Sequence, residues 1–155
     1  MSHTANDFDN TGLSPAIDTL VLRLNPGEDL RATLAAAFAD AARTQGMEAA
    51  CVVSGIGSLT QAVLRYAQQE QGTRVDGPLE LLTLAGTLSA DGAHLHASVS
   101  DARGAVLGGH LMPGCTVRTT AEVVLALLPQ WHFARRPDAA TGYLELVATR
   151  KAGKP

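Results

Sequence analysis

The apolar positions along the chain fall into short alternating runs, with one clear exception. From Asp18 to Asn25, Leu20, Leu22 and Leu24 occupy every second position, which predicts a half-buried strand. Pro26-Gly27 then reads as a turn, and Glu28-Asp29 place negative charge where a helix would begin. Leu30, Leu34, Ala37, Phe38 and Ala41 recur at helical spacing, and Gly46 ends that helix. Every later segment reads as strand or loop. Glu48 to Ser58 holds Cys51-Val52-Val53 and then loses side chains at Ser54-Gly55-Ile56-Gly57, the pattern of a bulge or a close backbone contact. Leu59 to Ala67 predicts another strand, residues 68–78 a polar loop, and Leu79 to Leu88 a strongly apolar strand.

Asp91-Gly92 is a turn signal. His94 to Ser100 alternates again, with Leu95, Ala97 and Val99 on one face and His94, His96 and Ser98 on the other. Ala105 to Leu111 is its partner strand, Cys115 to Leu128 a long apolar strand, Gln130 to Thr141 a loop, and Tyr143 to Thr149 a closing strand. Many strands with one helix and no strand–helix–strand rhythm predict an α+β fold: a largely antiparallel sheet with one main helix packed on it. The expected organisation is a polar N-terminal arm over residues 1–16, one domain over 17–150 and a frayed tail over 151–155.

The histidines carry the candidate chemistry. Three of the five, His94, His96 and His110, lie on the two strands flanking Asp101-Ala102-Arg103-Gly104. A three-residue hairpin loop favours a left-handed last residue, for which glycine is suited. With Ala102-Arg103-Gly104 as the loop, Asp101 pairs with Ala105, His96 falls opposite His110, and His94 lies diagonal to it. All three side chains then leave one face. A two-residue loop would send His110 to the other face. Directly opposite Cβ atoms stand about 4.5–5.5 Å apart and diagonal ones about 7–8 Å, so the imidazoles can converge on one ion. Three histidines with an open fourth position are the catalytic zinc pattern rather than the closed structural one. The competing reading is three ordinary histidines on a solvated strand face. Gly108 and Gly109, just before His110, would keep that face uncrowded.

Glu122, inside an apolar strand, is a candidate catalytic carboxylate, holding a histidine N–H or acting as general base; the alternative is an edge residue paired with an arginine. Cys115, near His110 in sequence, is a candidate ligand or a buried thiol. Two widely separated cysteines make neither a disulfide framework nor a CxxC pair. No run approaches ~20 apolar residues, and residues 1–16 lack the pattern of a signal peptide, so a cytoplasmic location is expected. With 12 Lys+Arg against 15 Asp+Glu the chain has a formal charge of -3 and a pI near 5.9. That balance disfavours gripping DNA through the whole surface, and an aromatic content of 4% disfavours base stacking.

Several ordered motifs resemble one family. They are Pro26-Gly27-Glu28-Asp29-Leu30, the Val53–Ser58 segment VSGIGS, the His94–Asp101 segment HLHASVSD, Gly104, Gly108-Gly109-His110-Leu111, Thr120-Ala121-Glu122-Val123 and the Thr141–Leu146 segment TGYLEL. From about Asp18 to Thr149 the chain is similar to the PPC domain, named for plants and prokaryotes. The resemblance implies an α+β fold similar to acetolactate decarboxylase, a homotrimer, and a divalent metal, zinc by analogy, held by an HxH pair plus a third histidine. Prokaryotic members tend to keep those histidines. In plants the domain follows a DNA-binding AT-hook, so the resemblance also carries a DNA-binding label; a trimeric interaction scaffold is a third reading. This chain has no Arg-Gly-Arg-Pro core, and Arg135-Arg136-Pro137, its nearest approach, lies inside the domain.

Overall fold

The structure is a computed structural model that describes residues 17–152, so the N-terminal arm and most of the short tail lie outside it. In chain order the elements are β1 (Asp18–Leu24), α1 (Leu30–Gln45), β2 (Ala50–Arg65), β3 (Thr73–Ser89), β4 (Gly92–Ser100), β5 (Val106–Leu111), β6 (Thr116–Leu127), β7 (Trp131–Pro137) and β8 (Leu144–Arg150). The first six strands form one sheet in the order β1-β6-β2-β3-β4-β5, every pairing antiparallel. The far end of β2 also pairs with β5, through Leu64–Leu111 and Arg65–His110. Strands β2, β3, β4 and β5 therefore close on themselves. The α+β expectation, a largely antiparallel sheet with one helix, is what the chain adopts.

Helix α1 begins where the charge pattern places it. Asp29 is its N-cap, accepting the Ala32 N–H at 2.7 Å, and Gly46 ends it in a left-handed conformation at φ 68°. The second carboxylate oxygen of Asp29 accepts the Gly114 N–H at 2.5 Å, and the Leu30 N–H donates to the Cys115 carbonyl at 2.8 Å. One side chain thus ties the start of the helix to the turn between β5 and β6. Leu30, Leu34, Phe38 and Ala41 are the buried face of α1. They join Leu59, Leu64, Leu95, Val99, Leu111 and Leu125 in a single core. Burying each such side chain is worth about 1.5–3 kcal/mol.

Three sequence expectations are corrected. Residues 50–65 are one strand rather than two, because the glycines are absorbed as register shifts between Val52 and Ser54 and between Gly57 and Leu59. The close contact expected there is present: a Cβ on Gly57 would stand 2.5 Å from the Thr120 carbonyl oxygen, and one on Gly55 would stand 2.7 Å from Leu84 Cβ. Residues 73–78, expected as loop, extend β3 against β2; Arg74 and Asp76 pair with each other at 2.8 Å on the outside, giving a solvated strand the composition of a loop. Residues 131–137, also expected as loop, form β7, whose strand partner is β8, with one further bridge from His132 to Glu48. Its prolines fit because Pro129 precedes the strand and Pro137 is its last residue. Consequently β8 does not close the main sheet.

A lone two-stranded ribbon is marginal in water, and this one is strapped to the body. The Arg135 N–H donates to Asp91 at 2.7 Å, and His132 Nδ1 bonds Glu48 at 2.8 Å. Phe133 and Ala134 are buried beneath it. Among the described residues no helix is long and apolar enough to cross a membrane.

Replacing the cap tests this reading of α1. Asp29→Ala should lower stability by about 1–2 kcal/mol, from the cap and the Gly114 bond together, and Asp29→Asn by less. Urea denaturation monitored by circular dichroism reads both values.

Candidate metal centre

The turn between β4 and β5 sets the site. The Asp101 N–H donates to the Ala105 carbonyl, and the Gly104 N–H to the Asp101 carbonyl, each at 3.0 Å. The Asp101 carboxylate accepts the Arg103 and Ala105 N–H groups at 2.8 and 2.9 Å, and those two bonds hold it below the usual carboxylate range. Gly104 sits at φ 82°. This is the three-residue loop, and it puts His96 directly opposite His110. The register expected from the sequence is the register found.

The three imidazoles converge. Ring centroids stand 5.2 Å apart for His94 and His96, 4.8 Å for His94 and His110, and 5.4 Å for His96 and His110. His94 Nε2 lies 3.1 Å from His96 Nε2, and one nitrogen from each ring falls within 4.8 Å of the others. Two nitrogens ~2.0–2.1 Å from one tetrahedral ion stand about 3.3 Å apart, so modest side-chain rotation brings all three to ligand distance. The residues fit a divalent ion with three nitrogen ligands.

The electrostatics agree with that fit. Burial pushes His110 down to about 4, with His94 and Arg65 adding to the effect. Burial also lowers His94, reinforced by Arg135 and His96 and opposed by Glu145. Both rings are therefore neutral near pH 7, the form in which imidazole binds a metal.

The histidines open onto a cleft of about 770 Å³, also lined by Arg65, Tyr66, Gln68, Gly109, Tyr143 and Glu145. Its outer wall is the start of β8 and the residue before it. Glu122 is not part of this cleft. It lies on β6, which is separated from β4 by β2 and β3, stands opposite Arg23 of β1, and lines a second cleft with Glu80 and Arg118. The carboxylate beside the histidines is Glu145. Sequence reading passed over it because it arrives on a ribbon that folds back from far along the chain. Cys115 is fully buried in the core, accepting the Val63 N–H at 3.1 Å and donating to the Met112 carbonyl at 3.3 Å; burial pushes its thiol up to about 11. It is a packed thiol rather than a ligand.

Gly86 supports the site from behind. Its φ is 139°, and a Cβ there would stand 2.0 Å from the His94 carbonyl oxygen, so only glycine lets β3 pass this close to His94. Gly109 does the same at the closure of the ring, where a Cβ would stand 2.8 Å from the Arg65 carbonyl oxygen.

The profile of the Plants and Prokaryotes Conserved (PCC) domain matches residues 14–129. The chain belongs to this family. The matched PCC span contains β1 through β6, and so all three histidines, while β7 and β8 lie beyond it. The chain is 51% identical over 134 residues to the bifunctional protein GlmU of a Synechococcus strain, covering 86% of this chain and 21% of that protein. It thus spans about a fifth of the length of that relative. A plant relative, the AT-hook motif nuclear-localized protein 8 of Arabidopsis thaliana, is 26% identical over 114 residues, 68% of this chain and 28% of that one. Among solved structures, a hypothetical protein from Salmonella enterica superposes with a TM-score of 0.82 at 42% identity, over 90% of this chain and 99% of that one. A metal-containing protein from Archaeoglobus fulgidus superposes with a TM-score of 0.68 at 28% identity, over 85% and 95%.

The lowered His110 has a measurable consequence in metal-free protein. Because its folded-state value lies below the ordinary 6.5, the unfolded chain binds more protons between about pH 6.5 and 4, and stability falls as pH falls through that window. The melting temperature should therefore drop from pH 7 to pH 4.5, and His110→Gln should flatten the slope.

Proposed function

We propose that this PCC domain is a metal-dependent small-molecule site in which His94, His96 and His110 hold one divalent ion, with zinc the best match to three imidazole ligands. The observation that carries the reading is the convergence of three ring nitrogens within 4.8 Å on the wall of an open cleft. The metal-containing relative from Archaeoglobus fulgidus supports it. A bound ion would supply Lewis acidity, polarising a carbonyl or activating water at its open position. The chain's own residues do the rest. His94 and His110 stay neutral through burial, and the Asp101 turn keeps His96 and His110 in register. Glu145 offers the cleft's carboxylate for accepting or holding a proton, and Tyr66 and Tyr143 narrow the approach. In this assignment Glu145 takes the part that Glu122 was expected to play.

The assembly we propose is a homotrimer. Val21, Val53, Ile56 and Leu82 are 71%, 63%, 52% and 42% exposed on β1, β2 and β3, an apolar surface that a second copy would cover. Sedimentation equilibrium should give a mass near three times the 16.1 kDa chain.

DNA binding, the reading favoured by the AT-hook relative, receives no support from the net charge of -3. Electrophoretic shift at about 50 mM salt should show no duplex complex, with a salt-dependent shift the contrary result.

Elemental analysis after incubation with zinc and dialysis should find one ion per chain. His96 is exposed, so His96→Ala should keep the far-ultraviolet dichroism of the wild type and lose the ion. Wild type without metal, or H96A with its full complement, would refute the assignment.

A further inference from the structure

Beside the histidines, on the same face of the strand ring, stands a residue that the metal reading does not use. Arg65 is the last residue of β2 and stands directly opposite His110 in the β2–β5 pairing. Opposed side chains of an antiparallel pair share a face, and Arg65 and His110 line the same cleft. Arg65 is half-buried. Arg43, Arg74, Arg103 and Arg136 each have a carboxylate within ion-pair distance. Arg65 has none among the described residues; its guanidinium makes one hydrogen bond, from Nη1 to the Gln69 carbonyl at 3.3 Å. A half-buried guanidinium with most of its five donors uncommitted is an anion site in waiting.

A second arginine lies close to the histidines. Arg135 also lacks a carboxylate partner among the described residues and bonds Thr87, the strand partner of His94, at 3.2 Å. Glu145 is the one carboxylate of the lining. Arg65 and Glu145 are thus the charged residues of the lining, with Arg135 acting on His94 from just outside it, so the arginine side of the cleft is locally positive in a chain whose net charge is negative. The volume of about 770 Å³ lies within the range of about 300–1,000 Å³ typical of small-molecule sites.

We infer that this cleft takes a small oxyanionic compound, a carboxylate or a phosphate ester, with the Arg65 guanidinium as its counter-ion and the histidine centre as its second anchor. The second anchor rests on the metal reading above; the arginine does not. A planar fork of N–H donors matches two oxygens of either group. Arg65 is a binding residue here, and Glu145 is left free to accept a proton from the rest of the ligand.

The test uses zinc-incubated protein and three probes: lactate, inorganic phosphate and lactamide, the neutral counterpart of lactate. Ligand-observed NMR titration should show binding of at least one anion and none of lactamide. Tighter lactate identifies a carboxylate ligand and tighter phosphate a phosphate ester. Arg65→Gln should weaken the anion roughly tenfold or more while leaving the zinc content unchanged, and Arg65→Lys should recover part of the loss. Equal binding by R65Q and wild type, binding of lactamide as tight as lactate, or no binding of either anion would overturn the inference. Zinc content measured on the same samples separates the two claims. Arginine-dependent anion binding without metal upholds this inference and refutes the metal assignment, whereas bound metal with arginine-independent binding does the reverse.

Discussion

The site depends on the parity of one turn. Side chains in a strand alternate with period two, so a slip of one residue in the β4–β5 pairing would send His110 through the sheet and leave an ordinary HxH pair on a strand. The structure spends several interactions on preventing that slip. Asp101 accepts two backbone N–H groups, Gly104 takes the left-handed position, and Leu95, Ala97 and Val99 are buried on the opposite face of β4. The last of these is the strongest. Moving β4 by one residue would expose three core side chains and bury two histidines, so the hydrophobic core holds the register that brings the histidines together.

Closure of the strand ring is the second requirement, and it follows from length and curvature. β2 and β3 are 16 and 17 residues long, longer than a flat pair in a small domain can use. Register shifts at Leu59/Gln61 and Leu81/Thr83 bend them, as bulges do. Glycines sit where backbones then meet side-on, at Gly57, Gly86 and Gly109. Bending carries the end of β2 across to β5 and sets Arg65 beside His110. Glycines that weaken the strand pattern in the sequence are therefore needed for the closure, and two of them, Gly86 and Gly109, stand directly behind the histidines.

This explains which features were legible in advance. The helix, its caps and the histidine register are local: each follows from residues within one turn or one hairpin, and the chemistry of Asp29, Gly46, Asp101 and Gly104 is enough to read them. β7 was misread because its partner is β8, its prolines lie at its ends and its outward residues are polar, so nothing in the segment alone separates it from a loop. Glu122 stands out as the candidate carboxylate for a related reason. A carboxylate in an apolar strand is conspicuous in a sequence, yet strand order puts two strands, β2 and β3, between it and β4. Glu145 is inconspicuous in its own alternating segment and gains its position from the fold-back of the β7–β8 ribbon. Long-range closure, whether of the ring or of the ribbon, is where local pattern stops carrying information.

The ribbon also bears on how the cleft is divided between the matched family span and the rest of the chain. The family match ends at residue 129, so the turn, the three histidines and Arg65 belong to the matched span, whereas Tyr143 and Glu145 lie beyond it. A centre built on the rigid ring keeps its geometry when the outer wall changes. The wall supplies the cleft's carboxylate, Glu145, together with Tyr143 and Leu144. Its attachment is polar and peripheral, through Asp91, Thr87 and Glu48, with Phe133 and Ala134 as the buried anchor. A segment held this way can vary in sequence at little cost to the core beneath it. The net charge of the chain bears on a partner as large as DNA and says little about what a cleft of this size would take. It averages over the whole surface, while a bound molecule meets only the local field of Arg65, Arg135 and Glu145.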